Sequence, residues 1–334
     1  MNVLVTGGAG YIGSVICDQL LAEGHAVVVL DNLSKGHRDA VALNATFVEA
    51  DLLDTPAVSE ALTRHHIDAV VHMAASSLVG ESMTQPLKYY RNNLWATLGL
   101  LEAMTYSGTS KLVFSSTAAV YGNPEKQPIE EDDPTVPTNP YGETKLAVER
   151  ALHWHSLSHD LQYVSLRYFN AAGATETRGE RHSPETHLIP LVLEAAAKST
   201  SVAVFGNDYP TPDGTCVRDY IHVSDLARAH VMALKALASG KPSAIFNLGC
   251  GQGYSVKDVI DAAQRVTGRS INVDMQGRRA GDPAVLIASS AEIRDTLGWV
   301  PRHELLDDIV GSAWAWMRKF DVKNARHSSP QSAR

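Results

Sequence analysis

The sequence predicts an α/β protein in which a doubly wound parallel sheet is joined to a smaller mixed α/β domain. Three observations support this prediction. A short apolar run at residues 3–5 leads into a glycine-rich turn and then into a helical stretch at residues 14–21. Further apolar runs alternate with helix-forming segments as far as residue 167. The composition then changes at residues 173–184, which are polar and rich in glycine, as expected of a crossing into a second region.

Composition and charge set the class of protein. The chain has 334 residues, of which 44% are hydrophobic and 20% charged, with a formal net charge of −8. This acidic balance argues against a nucleic-acid partner. Cys17, Cys216 and Cys250 are far apart and lack C-x-x-C spacing, which favours a reducing compartment. The strand pattern at residue 2 leaves no room for a signal peptide, and no apolar run reaches the roughly 18 residues of a membrane span. We therefore expect a cytoplasmic protein without a membrane partner.

The glycine-rich turn predicts a dinucleotide site. Gly7, Gly10 and Gly13 lie between a strand and a helix, where a tight turn lets the backbone approach a pyrophosphate at a helix N-terminus. Asp31 ends the next strand, where a carboxylate binds the adenosine ribose 2′-hydroxyl and would repel a 2′-phosphate. The following residues, beginning with Asn32, supply no arginine for such a phosphate. The pattern predicts a Rossmann-type domain that binds NAD rather than NADP.

The later strands of this domain end in small or polar residues, which should line one cleft because the carboxyl ends of parallel strands share an edge. These ends include Asp51 and Leu52 after residues 46–48, Met73 and Ala74 after residues 69–72, and Ser115 to Thr117 after residues 111–114. For Asp51 we favour an adenine contact over the alternative, a cap of the following turn. Asn92 and Asn93 open a predicted helix, where they either cap it or support the cofactor.

Tyr141 and Lys145 are the candidate catalytic pair. Asn139 and Pro140 predict the start of a helix, which places the phenol and the ammonium four residues apart on one face. A neighbouring cation favours the phenolate, and lowering the ordinary pKa of about 10 by three units needs roughly 4 kcal/mol. A cofactor's positive ring can add to the cation's effect. The alternative is an exposed pair on an ordinary helix.

The region after residue 172 is predicted to alternate between helices and strands. We expect helices at residues 191–198, 224–237, 256–267, 290–297 and 305–317, and strands at residues 202–205 and 245–249. Ser224 and Ser255 are the expected caps of two of these helices. The predicted division is a nucleotide-binding domain at residues 1–172, a partly interleaved substrate domain at 173–322 and a disordered tail at 323–334, in which residues 324–334 are polar and uncapped.

Arginines near the cleft of an acidic protein are candidate anion ligands. Arg218 and Arg279 can each form bidentate bonds to a diphosphate. The alternative for both is a surface ion pair, since Asp219 and Asp282 are close in sequence.

Three further residues complete the candidate substrate site. Asn170 and His187 offer neutral hydrogen bonds. His187 has no metal-ligand partners at a usable spacing, so no metal is expected. Phe205 either stacks on a base or belongs to the core.

Taken together, these motifs resemble the extended short-chain dehydrogenase/reductase superfamily and, within it, the UDP-glucose (UDP-galactose) 4-epimerase family. The resemblance covers nearly the whole chain, from residue 3 to about residue 316. The motifs at residues 6–13, 139–145 and 166–170 are shared widely, whereas the block at residues 205–223 is far more specific to the epimerases.

The resemblance implies a role for each matching residue. Tyr141 takes the proton of the sugar 4-hydroxyl while C4 gives its hydride to tightly held NAD, Lys145 lowers the pKa of Tyr141, and Thr117 binds the same oxygen. Arg218, Arg279 and Asn170 hold the UDP diphosphate, Phe205 lies beside the uracil, and Tyr168 lies beside the nicotinamide. The full cofactor set is Gly7, Gly10, Tyr11, Ile12, Gly13, Asp31, Asn32, Asp51, Leu52, Met73, Ala74, Ser77, Asn92, Tyr141, Lys145 and Tyr168. The full substrate set is Thr117, Tyr141, Asn170, His187, Leu188, Phe205, Arg218, Arg279 and Asp282.

The sequence departs from the family at two places. Ser77 stands where many of these epimerases carry a lysine that touches the cofactor ribose, which implies weaker NAD binding. Leu286, next to Val285, falls where side-chain size governs acceptance of 2-N-acetyl sugars, and it is neither the bulky nor the small extreme.

The resemblance leaves other functions open and implies a homodimer. Another UDP-sugar, an N-acetylhexosamine, pentose or uronate, is one alternative, and a non-catalytic NAD-binding protein is another. A 4,6-dehydratase is disfavoured because Ala118 and Ala119 replace its Asp-Glu pair. By analogy with the superfamily, helices at residues 92–105 and 140–155 are expected to form the seam of a homodimer.

Overall fold

The computed structural model describes residues 1–279 and 281–327. Its strands, in chain order, are β1 Asn2–Thr6, β2 Ala26–Asp31, β3 Thr46–Glu49, β4 Ala69–His72, β5 Lys111–Thr117, β6 Gln162–Tyr168, β7 Asn170–Ala172, β8 Ser201–Phe205, β9 Val217–His222, β10 Ala244–Leu248, β11 Gly253–Ser255, β12 Asn272–Gln276 and β13 Val285–Leu286. Its α-helices are α1 Tyr11–Ala22, α2 Thr55–Arg64, α3 Val79–Thr84, α4 Pro86–Tyr89, α5 Ala96–Ser107, α6 Pro140–His159, α7 Leu188–Lys198, α8 Val223–Ala238, α9 Val256–Thr267, α10 Ala291–Leu297 and α11 Leu306–His327.

The largest element is a seven-stranded sheet in the order β10-β6-β5-β4-β1-β2-β3. All of its neighbouring strands pair in parallel. The strand order reverses at β1, which lies between β2 and β4. Ligands of such sheets bind beyond the carboxyl ends of the strands at this reversal. The predicted doubly wound α/β fold is therefore confirmed, with its crevice at the glycine turn after β1.

Helices cover both faces of the sheet, which explains why its strands are apolar throughout. On one face, Val5, Ile16 and Leu226 belong to a buried cluster formed with α1 and α8. On the other face, Leu100 and Val148 belong to a second cluster formed with α2, α5 and α6. Burial on both faces fixes the sheet, and with it the edge that carries the candidate site.

The later part of the chain builds its own layers. β9 pairs with β7, β11 and β13, and β8 pairs with β12. Helices α7, α9 and α11 enclose a separate apolar cluster that includes Val192, Ile260 and Ile309. Two elements return to the large sheet, since β10 pairs with β6 and α8 packs on α1.

Of the two predicted serine caps one is confirmed and one is wrong, and one predicted helix begins earlier than expected. Ser255 caps α9 through a capping box with Asp258, as predicted. Ser224 does not cap α8, because His222 is the N-cap and its Nδ1 accepts the Ser224 N–H at 3.1 Å. The helix predicted from residue 191 begins at Leu188 instead. Its first turn tolerates Pro190, because N–H groups there have no intrahelical acceptor.

Two further expectations were wrong. Asn92 and Asn93 do not open a helix, because they lie within the π-helical segment Tyr90–Trp95 between α4 and α5. The predicted tail is helical in its first part, since α11 continues to His327. The remainder of that prediction, residues 328–334, lies outside the described residues. Among the helices of the described chain, none is both long enough and apolar enough to cross a membrane.

Candidate active site

One cavity of about 1160 Å³ extends from the carboxyl edge of the large sheet to the loops beyond β9. Every residue that the sequence predicts for the cofactor or the substrate lines this cavity. A pocket for one drug-sized ligand typically measures about 300–1,000 Å³. The cavity is therefore large enough for more than a single small ligand.

The glycine turn brings the backbone against the cavity wall. Gly7 has a φ of +71°, and a Cβ there would lie 2.7 Å from the Ala74 backbone nitrogen. A Cβ at Gly13 would collide with the Gly7 carbonyl oxygen. Gly10 is the N-cap of α1 and supplies no side-chain cap, so the first N–H groups of this helix stay available to an anion. This geometry fits a pyrophosphate.

Asp31 lies at the end of β2 with its carboxylate buried beside the turn. Its Oδ2 accepts the Ala9 N–H at 3.0 Å and its Oδ1 accepts the Leu33 N–H at 2.8 Å. Burial raises the pKa of Asp31, and these two backbone bonds oppose that rise. Each carboxylate oxygen retains a lone pair, so the group is held in place and can still accept ribose hydroxyls.

Asp51 caps the turn that follows it, which was the alternative to an adenine contact. Its Oδ1 accepts the Leu53 N–H at 2.9 Å, which caps the following turn. Its Oδ2 also accepts a hydrogen bond from Asn32 Nδ2 at 2.7 Å. Asp51 lines the cavity as well, so the adenine contact that we favoured stays a prediction.

Asn92 and Asn93 hold the segment that follows β4. Asn92 Nδ2 donates to Ser76 Oγ at 3.2 Å. Asn93 is buried, and its side chain bonds both the N–H and the carbonyl of Ser76 at 2.8 and 3.0 Å. Neither residue is a cap. Ser77, the next residue, is exposed and lines the cavity.

Tyr141 is the second residue of α6, where the helix start is fixed by its cap. Asn139 Oδ1 accepts the Gly142 N–H at 2.9 Å, and Pro140 occupies the first helical position. The phenol is half-buried and hydrogen-bonds Thr117 at the end of β5. Burial raises the pKa of Tyr141, and the bond to Thr117 lowers it by less. The expected lowering of the Tyr141 pKa by Lys145 is therefore not found in the protein without its cofactor, because burial has the larger effect.

Lys145 lies one helical turn after Tyr141 and is 2% exposed. Its Nζ donates to the Ser115 carbonyl at 2.7 Å and stands 4.8 Å from the centre of the Phe114 ring. Burial lowers the pKa of Lys145 to about 7, and the nearby charge of Glu149 opposes this. The ammonium is thus held at the strand end beside Tyr168, whose hydroxyl bonds Ser115 Oγ.

The lowered pKa of Lys145 predicts a pH-dependent stability in nucleotide-free protein. Between pH 7 and pH 9 the unfolded chain keeps a proton that the folded chain loses, because the ordinary pKa is 10.5. The unfolding free energy then rises with pH, by about 2 kcal/mol over this window. Urea denaturation at both pH values should show this rise relative to Lys145→Met. An equal response of the two proteins would contradict it.

The arginines on the substrate side have different partners. Arg279 Nε donates to Asp282 at 2.9 Å, the ion pair foreseen as its alternative, and its guanidinium lies 4.6 Å from the centre of the Phe205 ring. Arg218 does not pair with Asp219 and donates instead to the carbonyl of Val217 at 2.9 Å. Asp219 is buried and accepts the backbone N–H groups of residues 250, 251 and 288.

His187 has two potential metal-ligand neighbours, contrary to the prediction made from sequence spacing. The loop before α7 brings Glu180 and His182 close enough that one ligand atom from each of the three residues lies within 4.8 Å of the others. Asn170 is exposed on β7, and Leu188 begins α7 beside His187. Glu180 and His182 were not among the predicted site residues. The signal available was the triplet E-x-H, which occurs at residues 180–182 and again at 185–187.

Comparison with known proteins agrees with this geometry. Residues 3–249, well over half of the chain, match the NAD dependent epimerase/dehydratase family. The chain belongs to this family.

Several relatives in this family are similar over nearly their whole length. A UDP-glucose 4-epimerase of Lacticaseibacillus casei is 52% identical over 95% of this chain and 96% of the relative. One of Corynebacterium glutamicum is 51% identical over 95% of each chain.

Solved structures of the family are similar as well. The UDP-glucose 4-epimerase from Brucella ovis in complex with NAD has 47% identity and a TM-score of 0.91, covering 94% of this chain and 97% of that one. The enzyme from Bifidobacterium longum in complex with NAD+ and UDP has 38% identity and a TM-score of 0.90, covering 96% and 98%. The family's cofactor fits the glycine cradle and the Asp31 carboxylate described above.

Proposed function

We propose that the chain interconverts UDP-galactose and UDP-glucose by transient oxidation at C4 of the sugar. The observation that carries this proposal is the hydrogen bond between Tyr141 and Thr117 in the cavity that begins at the glycine turn. A phenol so placed can act as the base for a hydroxyl and as the acid for its return. The names of the similar proteins support the choice of substrate.

The nucleotide half of the cavity supplies the residues that would hold NAD. The turn from Gly7 to Gly13 and the start of α1 hold the pyrophosphate, and Asp31 accepts from the ribose hydroxyls. NAD+ bound there would supply the hydride acceptor for C4 of the sugar and the hydride donor for its return. Tyr168 and Lys145 line the cavity near the reacting end of the site.

Tyr141 and Thr117 carry the proton chemistry. Tyr141 removes the 4-hydroxyl proton and returns it after the sugar has turned, while Thr117 bonds the same oxygen. Because burial raises the pKa of Tyr141, the ionised phenol depends on positive charge beside it. Lys145 and the oxidised nicotinamide supply that charge.

The substrate half anchors the diphosphate while the sugar ring reorients. Arg218, Arg279 and Asn170 bind the diphosphate oxygens, with Asp282 holding the Arg279 guanidinium in place. Phe205 lies under the uracil beside Arg279. A fixed diphosphate lets both faces of the 4-keto sugar reach the same acid and base.

Turnover of UDP-galactose without added reductant tests the proposal. The purified protein should convert it to UDP-glucose, and denaturation should release NAD rather than NADP. Turnover of UDP-N-acetylgalactosamine and of UDP-pentoses shows which sugar sizes the site accepts near Leu286. Absence of turnover on every UDP-hexose would refute the proposal.

We also propose that the chain forms a homodimer through α5 and α6. These helices and the turn before α5 carry exposed large side chains, namely Trp95 at 69%, Tyr106 at 83%, Trp154 at 69% and Leu157 at 67% exposure. A groove of about 620 Å³ is lined by residues of both helices. Exposed apolar surface on this scale is typical of an interface. Sedimentation should show a dimer that Trp154→Glu dissociates; a wild-type monomer would contradict the proposal.

The division of roles and the location are further parts of the proposal. Residues 1–172 bind the dinucleotide and contribute Thr117, Tyr141 and Asn170 to the sugar site. Residues 173–322 supply the rest of the UDP-sugar site, with β10 and α8 returning to the first part. The three cysteines are unpaired, which supports a reducing, cytoplasmic setting.

A further inference from the structure

Leu286 forms part of the wall of the substrate half of the cavity. It lies on β13, which pairs with β9 so that Leu286 is opposite Arg218. Its side chain packs against a buried cluster that includes Ala118, the residue after Thr117. The sugar of a bound UDP-sugar has to lie between the proposed diphosphate ligand and the proposed proton-transfer residues. Leu286 is therefore placed to contact the sugar.

Gln127 holds the backbone on both sides of Leu286. Its Nε2 donates to the Val285 carbonyl at 2.9 Å, and its Oε1 accepts the Ile287 N–H at 2.8 Å. A primary amide has both donors and an acceptor, so this one side chain takes the place of a paired strand residue. Gln127 is exposed and does not line the cavity. It can therefore influence the substrate through β13 and not by direct contact.

The segment that carries Gln127 is itself fixed to the large sheet. Ile129 is buried, and its N–H donates to the Ile287 carbonyl at 2.8 Å. The Ile129 carbonyl accepts the Ser289 N–H at 2.7 Å and a hydrogen bond from Asn247 Nδ2 at 3.0 Å. Asn247 is fully buried and lies on β10, the edge strand of the large sheet. Gln127 therefore holds β13 from a rigid support.

The opposite edge of β13 is held by β9. The Val217 N–H donates to the Ala284 carbonyl at 2.8 Å. Asp219 is 0% exposed, and its Oδ2 accepts the Ala288 N–H at 3.1 Å. Leu286 thus lies in a short strand that is hydrogen-bonded along both edges. Movement of this wall away from a larger sugar requires some of these bonds to break.

We propose that Gln127 is a positioning residue that sets the sugar selectivity of the site by fixing Leu286. This inference rests on the proposed function. With the amide in place, a substituent such as the 2-N-acetyl group meets a wall that cannot retreat without breaking hydrogen bonds. Without the amide, water satisfies the Val285 carbonyl and the Ile287 N–H, so the strand moves more easily. The larger sugar then gains relative to the smaller one.

Gln127→Met tests the proposal, because methionine keeps the length of the side chain and removes its donors and its acceptor. The ratio of kcat/KM for UDP-N-acetylgalactosamine to that for UDP-galactose should rise by about 3–10-fold, the factor that one net hydrogen bond corresponds to. The rise should come from a lower KM for the N-acetylated sugar rather than from kcat. Gln85→Met is the matched control and should leave the ratio unchanged, since Gln85 is exposed and does not line the cavity.

A double-mutant cycle with Leu286→Ala shows whether Gln127 acts through Leu286. Alanine removes the side chain that limits the space, so Gln127→Met should not change the ratio in that background. An unchanged ratio in Gln127→Met alone, or the same rise with and without Leu286, would overturn the proposal. A purely structural role for Gln127 would lower kcat/KM for both sugars together, which is one form of the unchanged ratio.

Two further measurements separate this inference from the proposed function. Hydrogen exchange of the peptide that contains Ile287 should be faster in Gln127→Met than in wild type, whatever sugar the protein turns over. Equal exchange would show that Gln127 does not hold β13 and would overturn the proposal. If wild type turned over neither sugar, the epimerase proposal would fail. The ratio of the dissociation constants of the two UDP-sugars would then decide the role of Gln127, with the same expected change.

Discussion

Replacing Tyr141 with phenylalanine is expected to lower kcat for UDP-galactose by about 10²–10⁴-fold, the usual contribution of a general acid–base group. The substitution removes the one hydroxyl that bonds Thr117 and leaves the ring in contact with Tyr89, whose ring centre is 6.4 Å away. The Asn139 cap and the start of α6 do not involve this hydroxyl. The loss should therefore appear in kcat rather than in the binding of UDP or NAD.

Steady-state kinetics and the NAD content of the purified variant distinguish a loss in kcat from a loss in cofactor or substrate binding. Tyr90→Phe is a matched control, because Tyr90 is a 40% exposed tyrosine that does not line the cavity. The control should keep wild-type kcat. If Tyr141→Phe kept its activity as well, another group would have to be the base, and the proposed mechanism would be wrong.

Much of the site could be predicted because a parallel sheet collects the ends of its strands. Gly7, Asp31, Met73 and Thr117 lie at the carboxyl ends of four different strands, and the sheet places all four at one edge. Each prediction needed only local patterns of strand, turn and helix. The Ser255 cap and the helical start at Pro140 were predictable for the same reason, since their bonds span three residues.

The features that were not predicted depend on distances and on burial in the folded chain, which local sequence patterns do not contain. The pKa of Tyr141 was predicted from positive charge alone, that of Lys145 and of the cofactor's ring, whereas the structure adds burial, which raises it. The cluster of Glu180, His182 and His187 depends on a loop folding back on itself. Likewise, β10 joins β6 after an excursion of more than seventy residues, which no helix or strand period reveals.

The second large effect is a loss of stability on breaking the buried ion pair of Glu149 and Arg167, which lies near the catalytic pair. Their side chains are 3% and 5% exposed and approach to 2.6 Å. Ser116 Oγ donates to the same carboxylate at 2.5 Å. Arg167 Nη1 also donates to Tyr121 OH at 2.8 Å, and Tyr121 OH donates to Asn247 Oδ1 on β10 at 2.7 Å. This network joins α6, β5, β6 and the edge strand.

Arg167→Met is expected to lower the unfolding free energy by about 3–5 kcal/mol, because it leaves the Glu149 carboxylate buried without its counter-charge. The double variant Arg167→Met/Glu149→Leu should recover most of that loss, since it removes both charges. Arg64→Met is the matched control, because Arg64 and Glu60 are each 72% exposed at 3.7 Å. An exposed ion pair contributes about 0–1 kcal/mol to the unfolding free energy, so Arg64→Met should change it little.

Chemical denaturation of wild type, Arg167→Met, Glu149→Leu and the double variant gives both single losses and the coupling between the two residues. A loss in Arg167→Met no larger than in Arg64→Met would mean that water reaches Glu149 in solution. The same variants also bear on catalysis, because the charge of Glu149 opposes the lowering of the Lys145 pKa. In the double variant that opposition is gone, so Lys145 should lose its proton at lower pH. The pH dependence of kcat then reports whether the ion pair serves the reaction as well as the fold.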